Sequence, residues 1–220
     1  MKNSFLRRNF WFLSGFLVFM IAVLFLLAQI DKGEAILFFS NRRSWFGDLF
    51  FQYFTRMGEA GVYLIALLVL LFVKYRHAIT IPLLGIIVTF ISYYSKIYFK
   101  HDRPSLYFQK LNQLDQINTI EGISLLGGQT SFPSGHTMSA FALYAFLSFC
   151  LPWKKGLALV FLGMAILTGI SRIYLVQHFL QDVALGAIMG VAIALLIYYL
   201  HLLPQAAWLD KRLYRPKKRA

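Results

Sequence analysis

Residues Phe10–Ile30 carry no charge, and only Ser14, Gly15 and Gln29 interrupt their apolar side chains. A bilayer-spanning helix needs about 20 such residues. The hydrophobic part of a cleavable signal peptide runs to only about 7–15 and ends at a small-residue cleavage site. This run is longer and no A-x-A pattern follows it, so it reads as a first, uncleaved span behind Lys2, Arg7 and Arg8. The rest of the chain is of the same kind. Hydrophobic residues make up 59% of the 220 and charged residues 14%, against about 45–50% and 25% in soluble domains. A soluble core of this length cannot absorb that much apolar surface, and disordered chains lack it.

Further apolar runs fall near 59–73, 78–95, 136–151, 156–175 and 183–203, giving an all-α polytopic membrane protein with six transmembrane helices in one domain, 1–220. Pro82 falls near the start of the third span, where proline is tolerated. Pro152-Trp153-Lys154-Lys155 closes the fourth, and the stretch Ser95–Pro133 is too polar for lipid. Between the first two spans, Phe46, Leu49, Phe50, Tyr53, Phe54 and Met57 recur at helical spacing opposite Asp48, Gln52, Thr55 and Glu59. This amphipathic helix either lies in the interface with Trp45 near headgroup level or packs on the bundle.

The net charge of +13 raises the question of nucleic acid. The basic residues are scattered over short loops and a tail instead of forming one face, which excludes that partner. With the N-terminus in the cytoplasm, 13 of the 22 Lys and Arg lie on the cytoplasmic side and eight of the nine acidic residues lie outside. The positive-inside rule therefore puts both termini in the cytoplasm. Cys150 is the lone cysteine, so no intrachain disulfide is possible.

Three polar clusters share the outer side: Lys96-x6-Arg103-Pro104, Pro133-Ser134-Gly135-His136, and Ser171-Arg172-x5-His178-x3-Asp182. Ionisable groups near membrane depth are costly and usually face a functional cavity. On a helix His178 and Asp182, four apart, share a face. A carboxylate on one imidazole nitrogen fixes the tautomer and leaves the other to attack, ligate or take a proton; a purely structural His–Asp pair is the alternative. Lys96, Arg103 and Arg172 together suit a multiply charged anion such as phosphate, although snorkelling explains many interfacial cations. Ser134 and Gly135 open the fourth span, and a helix start of this kind is an anion site.

Taken in order, these clusters resemble the signature of the type 2 phosphatidic acid phosphatase (PAP2) superfamily of membrane lipid phosphatases, by motif from Lys96 to Asp182 and by layout over the whole chain. The resemblance implies that His178 is the nucleophile and forms a phosphohistidine, that Asp182 orients it, and that His136 is the general acid. Lys96, Arg103, Ser134, Gly135 and Arg172 would bind the phosphoryl group. Phosphoryl transfer needs positioning and charge neutralisation above all. Three fixed cations supply these, and no Asp/Glu cluster suited to Mg²⁺ appears among the motifs, so neither metal nor cofactor is expected.

The substrate class is a membrane lipid phosphate or diphosphate of the undecaprenyl diphosphate, phosphatidylglycerol phosphate, phosphatidate or lipid A type. A lipid phosphotransferase is the alternative, and a non-enzymatic transporter a weaker one. The setting expected is a bacterial inner membrane with the site on the periplasmic face. Lys100, His101 and Asp102 receive no role, and His77 and His201, at the cytoplasmic ends, read as structural. Gly186-x3-Gly190 is either a dimer seam or a close contact inside the bundle.

Overall fold

The computed structural model describes residues 2–151 and 155–214. Ten α-helices and three short 3-10 turns account for its regular structure, and no strand occurs among the described residues. Helices α1 (Lys2–Arg8) and α2 (Phe10–Gln29) are followed by α3 (Glu34–Ser40) and α4 (Trp45–Phe54). A 3-10 turn (Thr55–Gly58) leads into α5 (Ala60–Leu71), then α6 (Tyr75–Phe99) and α7 (Pro104–Lys110). The last three are α8 (Gly135–Cys150), α9 (Lys155–Tyr174) and α10 (Leu180–Leu200).

At the centre stands α8, apolar all round and buried from Met138 to Cys150 except at Ser139. A helix without a polar face has to be surrounded; α6, α9 and α10 pack on it, and Phe12, Phe16 and Phe19 of α2 meet its Phe149 and Phe141. Its tightest neighbour is α10. A Cβ added at Gly190 would lie 2.5 Å from Met138 O and 2.8 Å from Phe141 Cβ, and one at Gly186 would lie 2.7 Å from Ser134 O. The G-x-x-x-G motif is therefore a close contact inside the bundle. By contrast α2 is peripheral, with Val18, Ile21 and Phe25 facing outward.

Four helices, α2, α6, α9 and α10, are long and apolar enough to cross a membrane, and a fifth crossing results if α4 and its 3-10 turn are joined to α5 across a 57° bend. The expectation of six such spans thus meets only four or five. Sixteen residues give α8 about 24 Å, less than the roughly 30 Å of hydrocarbon; wrapped in protein, its length is not set by lipid. Nor does the 12-residue α5 cross alone.

Two boundaries also shift. α6 runs from Tyr75 to Phe99, so Pro82 lies in its interior and Lys96 in its last turn, because Ser95-Lys96 holds nothing that stops a helix. α10 starts at Leu180, which brings Asp182 into its first turn. Residues Pro152, Trp153 and Lys154 and the tail from Arg215 lie outside the described residues.

Both ends of the described chain meet at one end of the bundle. The Arg8 guanidinium donates to Tyr198 Oη, Tyr75 N donates to Lys211 O, and Leu213 N donates to Leu71 O. Lys74 and Arg76 pair with Asp210 at 3.1 and 3.0 Å, which holds the Asp210 carboxyl down to about 2. At the opposite end, Ile36, Phe108, Ile117, Ile173, Val176 and Phe179 form a second small core. It roofs the polar clusters and packs so closely that a Cβ at Gly33 (φ 105°) would meet Phe108 Cζ at 2.8 Å.

Candidate active site

The α9–α10 turn places His178. Val176 adopts φ 57°, a left-handed conformation that costs a β-branched residue about 1–3 kcal/mol. The reversal lets Gln177 N and His178 N both donate to Arg172 O, at 2.9 and 3.1 Å. His178 therefore precedes α10, and it does not share a helix face with Asp182. Instead Asp182, third in the helix, folds back: its Oδ2 accepts from Phe179 N at 3.0 Å and lies 3.3 Å from His178 Nδ1. A carboxylate at that position suits the free amides of a helix start. Asp182 is fully buried and His178 is 2% exposed.

The start of α8 is fastened to the start of α10. Ser134 N donates to Asp182 O at 3.0 Å, while Ser134 Oγ caps α8 and accepts from Thr137 Oγ1 at 2.9 Å. A Cβ on Gly135 would stand 2.8 Å from Ser92 Oγ and 3.6 Å from Lys96 Nζ, so the glycine spares this helix start a clash with Ser92 of α6. His136 follows, half-exposed, with Nε2 3.6 Å from Glu59 Oε1.

Arg172 sends Nη1 to Thr55 Oγ1 at 2.7 Å, and its buried Nε has no hydrogen-bond partner. The same 3-10 turn ends at Gly58, where a Cβ would stand 2.7 Å from His136 O. Arg103 donates through Nη1 to Gln177 O at 3.1 Å and through Nε to Thr130 Oγ1 at 3.2 Å. All eight residues expected from the sequence thus belong to one connected cluster, with Arg172 and Arg103 near the His178 imidazole and Lys96 beside Gly135. Burial holds that imidazole down to about 4, with Arg172 and Arg103 adding to the effect and the Asp182 carboxylate opposing it.

Sequence reasoning missed several supports. Ser131, fully buried, donates its hydroxyl to Asp182 Oδ2. Thr55 and Glu59 were placed only on the polar face of an amphipathic segment, yet Thr55 holds Arg172 and Glu59 faces His136. The unassigned residues of the first motif tie down the intervening loop. Asp102 pairs with Lys110 at 2.6 Å, Ser131 N donates to His101 O, and Arg103 N donates to Gly128 O. For these contacts only proximity to the PSGH segment was a signal, because each depends on tertiary approach.

A groove of about 940 Å³ between α5, α6 and α8 reaches this cluster, with Lys96, Gly135 and His136 at one end and Ile86, Phe90 and Pro82 further along. A charged end and an apolar length suit an amphiphile.

Comparison with known proteins places the chain in a family. Over 78 residues the chain is 40% identical to phosphatidylglycerophosphatase B of Bacillus subtilis, which is 32% of this chain and 36% of that protein. The chain spans about a third of the length of the curated relatives it matches. The fold is similar to that of Aquifex aeolicus LpxE, with a TM-score of 0.64 at 24% identity over 76% of this chain and 94% of that one. It is also similar to a PAP2 type phosphatidylglycerolphosphate phosphatase from Bacillus subtilis, with a TM-score of 0.59 at 21% identity over 90% and 98%. The family model described as PAP2 superfamily matches residues 74–204, more than half of the 220 and all eight site residues expected from the sequence, so the chain belongs to the PAP2 superfamily.

Proposed function

We propose that this chain is a lipid phosphatase that removes a phosphoryl group from a membrane lipid phosphate or diphosphate through a phosphohistidine on His178. The observation that carries the reading is the buried His178–Asp182 pair, with Arg172 and Arg103 beside it and Lys96 at the near end of an apolar groove. Asp182 on Nδ1 fixes the tautomer and leaves Nε2 to attack phosphorus. As the N–P bond forms and the bond to the leaving oxygen breaks, His136 gives that oxygen its proton. Asp182 compensates the charge on the phosphorylated ring. Water then attacks phosphorus, His136 takes its proton, and the N–P bond breaks to release phosphate and neutral His178. The unpartnered Nε of Arg172 and the Gly135 amide, at the helix start that Ser134 caps, would hold the phosphoryl oxygens,. A covalent step divides one barrier into two.

The proposal takes the chain as a single membrane domain over 1–220 in a bacterial inner membrane. Six helices, α2, α5, α6, α8, α9 and α10, would cross or nearly cross it, with α4 in the outer interface. Trp45 and Phe46, 79% and 69% exposed, suit that position. The charge distribution supports cytoplasmic termini and a His178 site on the periplasmic face. The names of two similar proteins, phosphatidylglycerophosphatase B and phosphatidylglycerolphosphate phosphatase, favour a phospholipid phosphate as substrate.

The test is phosphate release by the purified protein over a panel of lipid monophosphates and diphosphates, with and without an acceptor lipid. Free phosphate supports the hydrolase, labelled acceptor without free phosphate supports a phosphotransferase, and neither product refutes both. Comparing His136→Ala on the two substrate kinds tests the acid. An alkoxide needs protonation more than a departing phosphate does, so the loss should be about 10²–10⁴-fold on a monoester and smaller on a diphosphate. Equal losses would leave His136 as a phosphate ligand only.

A further inference from the structure

We infer that His77, Cys150 and His201 form a binding site for a single transition-metal ion with the coordination chemistry of Zn²⁺, at the end of the bundle opposite His178. The three residues come from three helix ends: the start of α6, the last residue of α8 and the residue that closes α10. One ligand atom from each lies within 4.8 Å of the other two. Thiolate and imidazole are donors that zinc prefers, and zinc sites combine the two kinds. Tetrahedral bonds of about 2.3 Å to sulfur and 2.0–2.1 Å to nitrogen put S and N about 3.6 Å apart. Cys150 Sγ and His201 Nε2 already stand at 3.8 Å.

Two further observations point to a ligand. The first is the orientation of His201, whose Nδ1 donates to Tyr198 O. Metal-bound histidines characteristically direct their other N–H to a carbonyl or carboxylate, which fixes the tautomer that presents the free nitrogen. Here that nitrogen faces the thiol. The second is His77, 8% exposed, whose Nδ1 is buried without any hydrogen-bond partner. Its ring centroid lies 5.4 Å from that of His201. A Cys–His hydrogen bond would explain the first contact and leave this buried atom unexplained; a metal ion bound through it would satisfy all three groups.

Charge near the site is mixed: Arg76 donates to His201 O at 2.9 Å, and Asp210 pairs with both Arg76 and Lys74, at 3.0 and 3.1 Å. The bound thiolate adds a negative charge. A cleft of about 210 Å³ lined by Arg76, Thr80, His201 and Leu209 reaches His201 from outside. A fourth coordination position is left for water. Because α8 separates the two ends by about 24 Å, the ion would clamp α6, α8 and α10 together without touching the reacting phosphoryl group.

The test uses the full-length protein in detergent, affinity tag removed, titrated with Zn²⁺ alone and then with Co²⁺ as an optical substitute. One equivalent of Zn²⁺ should bind and raise the thermal midpoint. Bound Co²⁺ should show a thiolate-to-metal charge-transfer band. Cys150→Ser should abolish that band while lipid phosphate hydrolysis continues, and His77→Gln should weaken Zn²⁺ binding by at least about tenfold. His178→Ala should bind the ion like the unaltered protein. Absence of saturable binding overturns the proposal. So does an unchanged band in Cys150→Ser, wild-type affinity in His77→Gln, or loss of the ion in His178→Ala, which would put it at the other site.

Discussion

Removing one hydroxyl should expose how His178 is held. Asp182 is fully buried, and its Oδ2 receives the Ser131 hydroxyl, the Phe179 N–H at 3.0 Å and His178 Nδ1 at 3.3 Å, while Oδ1 has no partner. Ser131→Ala deletes a hydrogen bond to a buried carboxylate, worth about 1.5–3 kcal/mol. If that bond holds Asp182 against the phosphorylated imidazole, kcat should fall about tenfold to a hundredfold. KM should change little, because Ser131 acts through Asp182 and not on the lipid. The assay is steady-state phosphate release, with a thermal melt to verify folding. The same substitution made in an Asp182→Asn background should cost nothing more, since the charge it serves is gone and coupled sites are not additive. A loss under about twofold, or an equal loss in both backgrounds, would refute the reasoning and leave Ser131 as packing.

Other consequences follow from the same geometry. Because burial holds His178 at about 4, below the ordinary 6.5, its ring should stay neutral down to mildly acidic pH. As pH falls from 6.5 towards 4 the unfolded chain takes up the proton first, so this group's share of stability is present above 6.5 and lost across that window. Ring resonances assigned by loss in His178→Ala would show it, and titration at 6.5 or above would contradict it. Gly190→Ala puts a Cβ 2.5 Å from the Met138 carbonyl and 3.0 Å from Ala142 N, neither of which can rotate away. It should cost about 1–3 kcal/mol and lower the thermal midpoint, whereas an unchanged midpoint would mean that α8 and α10 are looser than described. In a Cys150→Ser background, Asn112→Cys should react with an impermeant thiol reagent in intact cells and Lys211→Cys should not. The reverse pattern would invert the proposed orientation.

What could be read from the sequence followed from chemistry that acts locally. A bilayer demands long apolar runs, so α2 and α9 appear almost where Phe10–Ile30 and 156–175 placed them. The motifs named the cations and histidines because phosphate chemistry restricts which side chains serve. Residues 34–40 and 104–110 have no amphipathic period long enough to notice, so α3 and α7 were invisible, although Pro104 at the first position of α7 is a familiar start signal. The relation of His178 to Asp182 was misjudged because spacing alone cannot tell a shared helix face from a carboxylate folding back over a helix start. Ser131 and the His77–Cys150–His201 cluster are joined only by packing, which no local pattern records.

The central claim is that the phosphoryl group passes through His178. Purified protein mixed with a lipid labelled in its terminal phosphate, quenched under base within one turnover, should carry label on the peptide containing His178. The linkage should be stable to alkali and labile to acid. His178→Ala, still folded, should carry no label and release no phosphate. Label on another residue would contradict the account, as would an unlabelled enzyme whose His178→Ala form keeps more than about a hundredth of the unaltered rate, since loss of a general base alone costs roughly 10²–10⁴-fold.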